Sequence, residues 1–189
     1  MIKAILCGAS GKMGGFVAAT AESDGEIQIV AGVDKYNNGE KFPVFSDFYD
    51  INVKADIIID FSNAALLDGL LDYALKNNMP AVIATTGYDN AQIEKIKAAA
   101  KKIPVFFTFN MSVGVNLVAS LAKKSAAVLG DSFDIEIVEA HHNQKIDAPS
   151  GTAIMLANSV NSVFGDTLNY EYDRHSVRRK RPKNEIGIH

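Results

Sequence analysis

The chain has 189 residues, 48% of them apolar and 22% charged, with a formal net charge of −3. That composition supports a packed core and argues against a disordered chain or nucleic-acid binding over the whole surface. A single cysteine, Cys7, leaves no disulfide framework and no cysteine-based metal knuckle. The first apolar stretch is too short for a signal peptide and no apolar run reaches bilayer-spanning length, so the expectation is a cytoplasmic protein with no membrane partner.

Runs rich in Ile, Val and Phe at 2–7, 27–33, 55–60, 80–85 and 104–109 alternate with helix-like stretches at 12–22, 63–77 and 90–102. This alternation predicts an α/β fold, a Rossmann-like doubly wound parallel sheet whose ligands bind at the carboxyl ends of its strands. Between the first strand and the first helix lies GASGKMG, with Gly8, Gly11 and Gly14 at three-residue spacing. Glycines let backbone and phosphate approach, and a helix N-terminus offers free N–H groups and the positive end of its dipole. The GxxGxxG spacing alone fits either a tight helix-packing turn or a dinucleotide loop. Its position, and Asp34 at the end of the second strand where a carboxylate can accept from a ribose hydroxyl, favour the dinucleotide. Lys35 leaves the cofactor choice open: a cation attracts the extra phosphate of NADP while Asp34 repels it, and a solvated loop lysine is the plainer alternative. Thr85-Thr86-Gly87 and Asn110-Met111-Ser112 close the fourth and fifth strands on the same edge, where turn and N-cap chemistry also accounts for them.

A dinucleotide-binding domain is expected over 1–112 and a smaller α+β substrate-binding and catalytic domain over 113–189. The amphipathic run 113–129 leads to an alternating stretch, 134–140, that predicts a strand with Ile135, Ile137 and either Val138 or Ala140 partly buried. There EAHHNQKIDAPSGTA begins. His141 and His142 fall where the strand ends, Lys145 and Asp147 in the following loop, and Pro149-Ser150-Gly151-Thr152 opens a helix. Histidine and lysine suit general acid catalysis, which a hydride addition to C=C or C=N requires, and the Ser-Gly-Thr helix start offers N–H groups and hydroxyls to a carboxylate. Each residue also has a structural reading: His142 a core or capping histidine, Lys145 a surface charge, Ser150 an N-cap, Asp147 a turn former. The basic run 174–183 lacks aromatics and reads as a solvated loop, with anion binding by one of its arginines second. EIGIH at 185–189 reads as a strand just beginning. One strand, one helix and that fragment are too few to hide an apolar face, so the second domain is expected to be incomplete.

GASGKMG, TTG at 85–87, NMSVGVN at 110–116 and above all EAHHNQKIDAPSGTA together resemble the 4-hydroxy-tetrahydrodipicolinate reductase (dihydrodipicolinate reductase) family. The resemblance runs in order along the whole chain. It implies an NAD(P)H-dependent oxidoreductase of lysine and diaminopimelate synthesis that acts on a small cyclic dicarboxylate as a homotetramer. By motif it places the pyrophosphate at Gly8, Ala9, Ser10, Gly11, Lys12 and Met13, and the adenosine ribose at Asp34 with Lys35 beside it. The nicotinamide end falls at Ala84, Thr85, Thr86, Thr108, Phe109, Asn110 and Met111. It makes His141 and Lys145 the proton-donating pair and His142, Gly151 and Thr152 the carboxylate site. Ala84 stands where the family often has glycine, and Asn143 and Gln144 replace more basic residues. Family members continue beyond the position of His189, so a truncated substrate domain with uncovered apolar surface, altered assembly and weak activity is expected.

Two other functions compete. A semialdehyde dehydrogenase of similar layout needs a thiol nucleophile, a role that Cys7 in the first strand does not fit. A dinucleotide-binding sensor without turnover would need only the first domain.

Overall fold

The computed structural model describes residues 1–189 except Asp147 and Val177, with the backbone alone for Asp131. Asp147, read above as a turn former, therefore lies outside the described residues. The chain divides into two compact units, Met1–Phe109 and Asn110–His189.

The first unit runs β1 (Ile2–Cys7), α1 (Lys12–Asp24), β2 (Ile27–Val33), β3 (Val44–Phe45), β4 (Ile57–Asp60), α2 (Leu67–Lys76), β5 (Ala81–Ile83), α3 (Asn90–Ala99) and β6 (Val105–Phe107). All pairings are parallel, in the order β3-β2-β1-β4-β5-β6. The chain moves outward from β1 to β3 and then returns to β4, so the order reverses between β1 and β4, the switch point at whose carboxyl ends sheets of this kind bind ligands. Buried parallel strands read as continuous apolar runs because helices cover both faces. Ile5, Ile58 and Ile83 are fully buried, each contributing on the order of 1.5–3 kcal/mol. Leu67, Leu70, Leu71 and Ala74 present one buried face of α2 at helical spacing. Asp89 starts α3 with a reciprocal capping box to Gln92.

The sheet has six strands where five are expected. β3 is only two residues long, too short for a period-two pattern, and is held by Gly32 N–H to the Pro43 carbonyl at 2.8 Å and Asp34 N–H to the Phe45 carbonyl at 3.0 Å. β5 and β6 stop at Ile83 and Phe107, which places Thr85, Thr108 and Phe109 on the loops beyond them.

The second unit comprises α4 (Val113–Leu129), β7 (Ile135–Ile137), α5 (Gly151–Asn161), β8 (Asn169–Glu171) and β9 (Glu185–Ile188). Its parallel sheet has the order β7-β9-β8, with the EIGIH stretch as the central strand. Ile186 and Ile188 are buried against Ala153, Ala157 and Val160 of α5 and Ala126 of α4. These elements bury one face of the sheet, but Val113, Leu117, Val118, Leu121 and Val128 of α4 stay exposed, the uncovered apolar surface that was expected. The missed strand, β8, is the three-residue NYE stretch, which carries no apolar alternation.

Neither Val138 nor Ala140 is partly buried: both are exposed, Val138 at 79%. The pleat carries Glu139, not Val138, to the side shared by Ile135 and Ile137. The basic run is not a free solvated loop either. Arg174 reaches Glu136 of β7 and Glu185 of β9, each at 3.1 Å, and Arg179 reaches Glu171 of β8 and Glu185, each at 2.7 Å. Arg181 adds Glu136 at 3.0 Å and Lys183 adds Asp134 at 2.8 Å. The run is thus strapped to carboxylates from all three strands.

Candidate functional site

At the end of β1 the chain turns through Gly8 at φ +76°, where a Cβ would stand 2.5 Å from the Phe61 carbonyl oxygen. Gly14, in the first turn of α1, faces the same loop: a Cβ there would overlap the Gly8 carbonyl oxygen and lie 2.6 Å from that of Ala9. Only glycine lets this loop and helix close on each other. Gly11 is the N-cap of α1, without a capping side chain and with no acidic residue in the first turn. The helix start thus keeps its backbone N–H groups and dipole for an anion.

Asp34 lies beside the loop. Its Oδ2 accepts from Ser10 N–H at 3.0 Å and its Oδ1 from Tyr36 N–H at 3.4 Å, while Ser10 Oγ donates to the Tyr36 carbonyl at 2.7 Å. Ala9 is buried, whereas Gly11, Lys12, Met13 and Lys35 are exposed. A cavity of about 620 Å³ adjoins this loop at Ser10 and Gly11 and extends between α1 and Phe42.

The carboxyl edge of β4 and β5 holds residues that sequence reasoning missed. Asp60 is fully buried; its Oδ1 accepts from Ser62 N–H at 3.2 Å and Ser62 Oγ at 2.5 Å, and its Oδ2 from the Tyr88 hydroxyl at 3.2 Å. Thr85, also buried, accepts from Ser62 N–H through Oγ1 at 2.8 Å. Ala84 N–H donates to the Asp60 carbonyl at 2.9 Å, while Thr86 is exposed. Burial and the Asp60 charge push the Tyr88 phenol well above its ordinary value. Aromatic rings continue the edge, Tyr88 against Phe107 at 5.9 Å and Phe107 against Phe109 at 4.9 Å. The available signal was an acidic residue ending the Ile-Ile-Ile run 57–59. Cys7 is buried beneath this edge, and burial followed by the Asp60 charge raises its thiol far above the usual range, so it is no nucleophile.

In the second unit the histidine motif forms a corner around Glu139. Its backbone N–H donates to the His189 carbonyl at 2.9 Å, which extends the β7–β9 ladder by one bond. Its side chain turns to the start of α5: Oε1 accepts from Ser150 N–H at 2.7 Å and Oε2 from Ser150 Oγ. His141 Nε2 faces the same Oε2 at 2.9 Å. Burial pushes the Glu139 carboxyl up, but hydrogen bonds from His141 and Ser150 outweigh it and hold it below its ordinary value. Ser150 Oγ also accepts from Ala153 N–H at 3.0 Å, the N-cap bond of α5.

His142 Nδ1 accepts from Gln144 N–H at 3.1 Å, so the neutral imidazole carries its proton on Nε2. A backbone bond from Lys145 N–H to the His142 carbonyl at 3.2 Å closes the turn. Asn110 Nδ2 donates to Thr152 Oγ1 at 3.1 Å, bringing the NMS motif onto the Ser-Gly-Thr corner, a meeting the sequence did not disclose. Gly151 is exposed and Thr152 half-buried. Among the described residues no group of His, Cys, Asp or Glu could hold a metal ion, and no helix is long and apolar enough to cross a membrane.

A reversed parallel sheet led by a glycine loop, in a chain that also carries an imidazole–carboxylate corner at a helix start, defines an α/β oxidoreductase of the nicotinamide-dinucleotide class. Residues 2–111 match the family described as dihydrodipicolinate reductase, N-terminus, and residues 114–189 its C-terminus. The chain belongs to the dihydrodipicolinate reductase family. It is 44% identical over 190 residues to the 4-hydroxy-tetrahydrodipicolinate reductase of Clostridium novyi (strain NT), covering all of this chain and 75% of that protein. It is 46% identical over 189 residues to the enzyme of the same description from Caldanaerobacter subterraneus subsp. tengcongensis, with the same coverage. The solved structure of dipicolinate-bound dihydrodipicolinate reductase from Paenisporosarcina sp. TG-14 superposes with a TM-score of 0.69 at 27% identity, covering all of this chain and 77% of that one. The chain spans about three quarters of the length of these relatives.

Proposed function

We propose that this chain reduces 4-hydroxy-tetrahydrodipicolinate to tetrahydrodipicolinate, taking hydride from NADH or NADPH held by the first unit and a proton from His141 with Lys145 assisting. Its family makes it a 4-hydroxy-tetrahydrodipicolinate reductase, an NAD(P)H-dependent oxidoreductase of the diaminopimelate route to lysine. The reaction balances when the 4-hydroxyl leaves with a proton as water and one hydride enters the ring.

The residues fit the cofactor. The uncapped first turn of α1, entered at Lys12 and Met13, offers its backbone N–H groups and dipole to the pyrophosphate, the loop Gly8 to Gly11 lets it approach, and Asp34 has acceptor capacity for the adenosine ribose. Lys35 is the neighbour that would meet a 2′-phosphate. Ala84, Thr85, Thr86 and 108–111 would hold the nicotinamide end. When bound, the reduced nicotinamide supplies the hydride.

The observation that carries the reading is the Glu139 corner, where one carboxylate holds both His141 and the Ser150 cap of α5. A proton donor and a carboxylate-binding helix start share one anchor. His142 Nε2–H, with Gly151 and Thr152 at the start of α5, supplies the remaining donors for a dicarboxylate. The Paenisporosarcina relative is bound to dipicolinate, a planar ring dicarboxylate of this class. The family resemblance supports a homotetramer as the working assembly.

The test is oxidation of NADH and of NADPH with enzymatically generated substrate, comparing the protein with His141→Gln. The expected result is a fall in kcat of about 10²–10⁴-fold with cofactor affinity retained. Equal turnover by the variant overturns the assignment of His141. Cofactor binding without turnover by the unmodified protein would mark a binding module instead.

A further inference from the structure

His141 can transfer a proton from either ring nitrogen, and the choice decides which edge of the imidazole meets the substrate. We propose that Glu139 is a positioning residue that locks neutral His141 as the Nε2–H tautomer, so that the proton given to substrate leaves from Nδ1. This rests on the reading of His141 as the proton donor, although the lock can be tested independently of it.

A carboxylate only accepts, so the nitrogen 2.9 Å from Glu139 Oε2 must carry hydrogen in both the neutral and the cationic ring. Nδ1 is left as the site that gains and loses the exchangeable proton. Glu139 itself is held from three directions: its N–H on the His189 carbonyl, its Oε1 under Ser150 N–H and its Oε2 under Ser150 Oγ. Its side chain is 19% exposed, against 37% for His141, so the anchor is the more sheltered member of the pair. A ring fixed by a half-buried acceptor loses less orientational freedom on reaction than a free one, and it gains a counter-charge for the imidazolium.

Ser150 makes the test sharp. Its backbone N–H can only donate, so in Glu139→Gln the amide oxygen must remain at the Oε1 position to meet it. The amide NH₂ then occupies the Oε2 position and points a donor at His141 Nε2. Neutral His141 is thereby driven to the opposite tautomer, with almost no change of shape. Ser150→Ala keeps the carboxylate facing the ring and should leave the tautomer unchanged.

Nitrogen-15 spectroscopy of the labelled imidazole, at a pH where His141 is neutral, reads this directly. We expect Nε2 protonated in the unmodified protein and in Ser150→Ala, and Nδ1 protonated in Glu139→Gln. In turnover, Glu139→Gln should lower kcat by on the order of 10²-fold or more, with KM for the dicarboxylate within a few-fold. An Nδ1–H tautomer in the unmodified protein, or Nε2–H retained in Glu139→Gln, overturns the proposal. Should the tautomer reverse as expected while neither Glu139→Gln nor His141→Gln loses kcat, the lock stands and the proton-donor reading fails instead. Loss of kcat in His141→Gln alone removes the positioning role.

Discussion

Asp34 and Ser10 are joined across 24 positions of sequence, the Asp34 carboxylate accepting the Ser10 backbone N–H at 3.0 Å. One side chain therefore shapes the glycine loop and, in the proposed function, receives the ribose. Replacing it should act twice. In Asp34→Asn an amide nitrogen competes for the place of an acceptor, and a hydrogen bond to a charged group, worth about 1.5–3 kcal/mol, is lost. Titration with NADH should show roughly 10–100-fold weaker binding, whereas NADPH should lose less, because the repulsion between Asp34 and a 2′-phosphate disappears as well. Equal losses for both cofactors would place Asp34 in loop structure alone.

Gly14 and Gly15 are neighbours with opposite tolerance. A Cβ at Gly14 overlaps the Gly8 carbonyl, whereas a Cβ at Gly15 meets nothing within 4 Å. Gly14→Ala should cost about 1–3 kcal/mol through displaced backbone and weaken dinucleotide binding. Gly15→Ala should stabilise the helix by up to about 1 kcal/mol through propensity. Urea unfolding of the two variants, side by side, checks the contrast; a loss of similar size in both would mean that the loop and α1 do not close as described.

The carboxylates under the basic strap make the second unit sensitive to acid. Burial pushes Glu136 up, but the hydrogen bond from His189 and the charges of Arg174 and Arg181 outweigh it and hold the group below its ordinary 4.5. A hydrogen bond from Lys183 lowers Asp134, and hydrogen bonds from Asp173 N–H and Arg179 lower Glu171. Folded values below unfolded ones add stability that is present above the unfolded values and is lost as pH falls through the folded ones. Amide resonances of β7, β8 and β9 should therefore hold above about pH 5 and broaden or vanish below about pH 4. Glu136→Gln should flatten that dependence, and salt should weaken it. An unchanged acid midpoint in the variant would exonerate the strap.

What could be read in advance follows from how far apart partners lie. The β1 and α4 boundaries were legible because a continuous apolar run and a long amphipathic one are local signals. β3 and β8, at two and three residues, carry no period and exist through their neighbours. Asp60 did not stand out from the run 55–60 because Tyr88, which donates to it, lies 28 positions on. The strap looked solvated for the same reason: Arg181 finds Glu136 across 45 positions and Lys183 finds Asp134 across 49. In the histidine motif the residue types were plain, but Glu139 gave no sign of holding His141 and Ser150 together. Spacing records which groups lie close along the chain, not which of them meets a carboxylate.

In the order β7-β9-β8 the central strand comes later in the chain than both of its neighbours. In the first unit β1 stands at the start and pairs with β2 and then β4, each segment meeting a partner that already precedes it in the chain. In the second unit both outer strands precede the strand they need, and Ile135 meets Ile186 only after about fifty intervening residues are in place. Until then β7 and β8 are two unpaired edges, and the histidine corner, whose anchor hangs from the end of β9, has no frame. A fault in β9 therefore uncovers two adhesive strands and unseats the Glu139 corner in the same stroke.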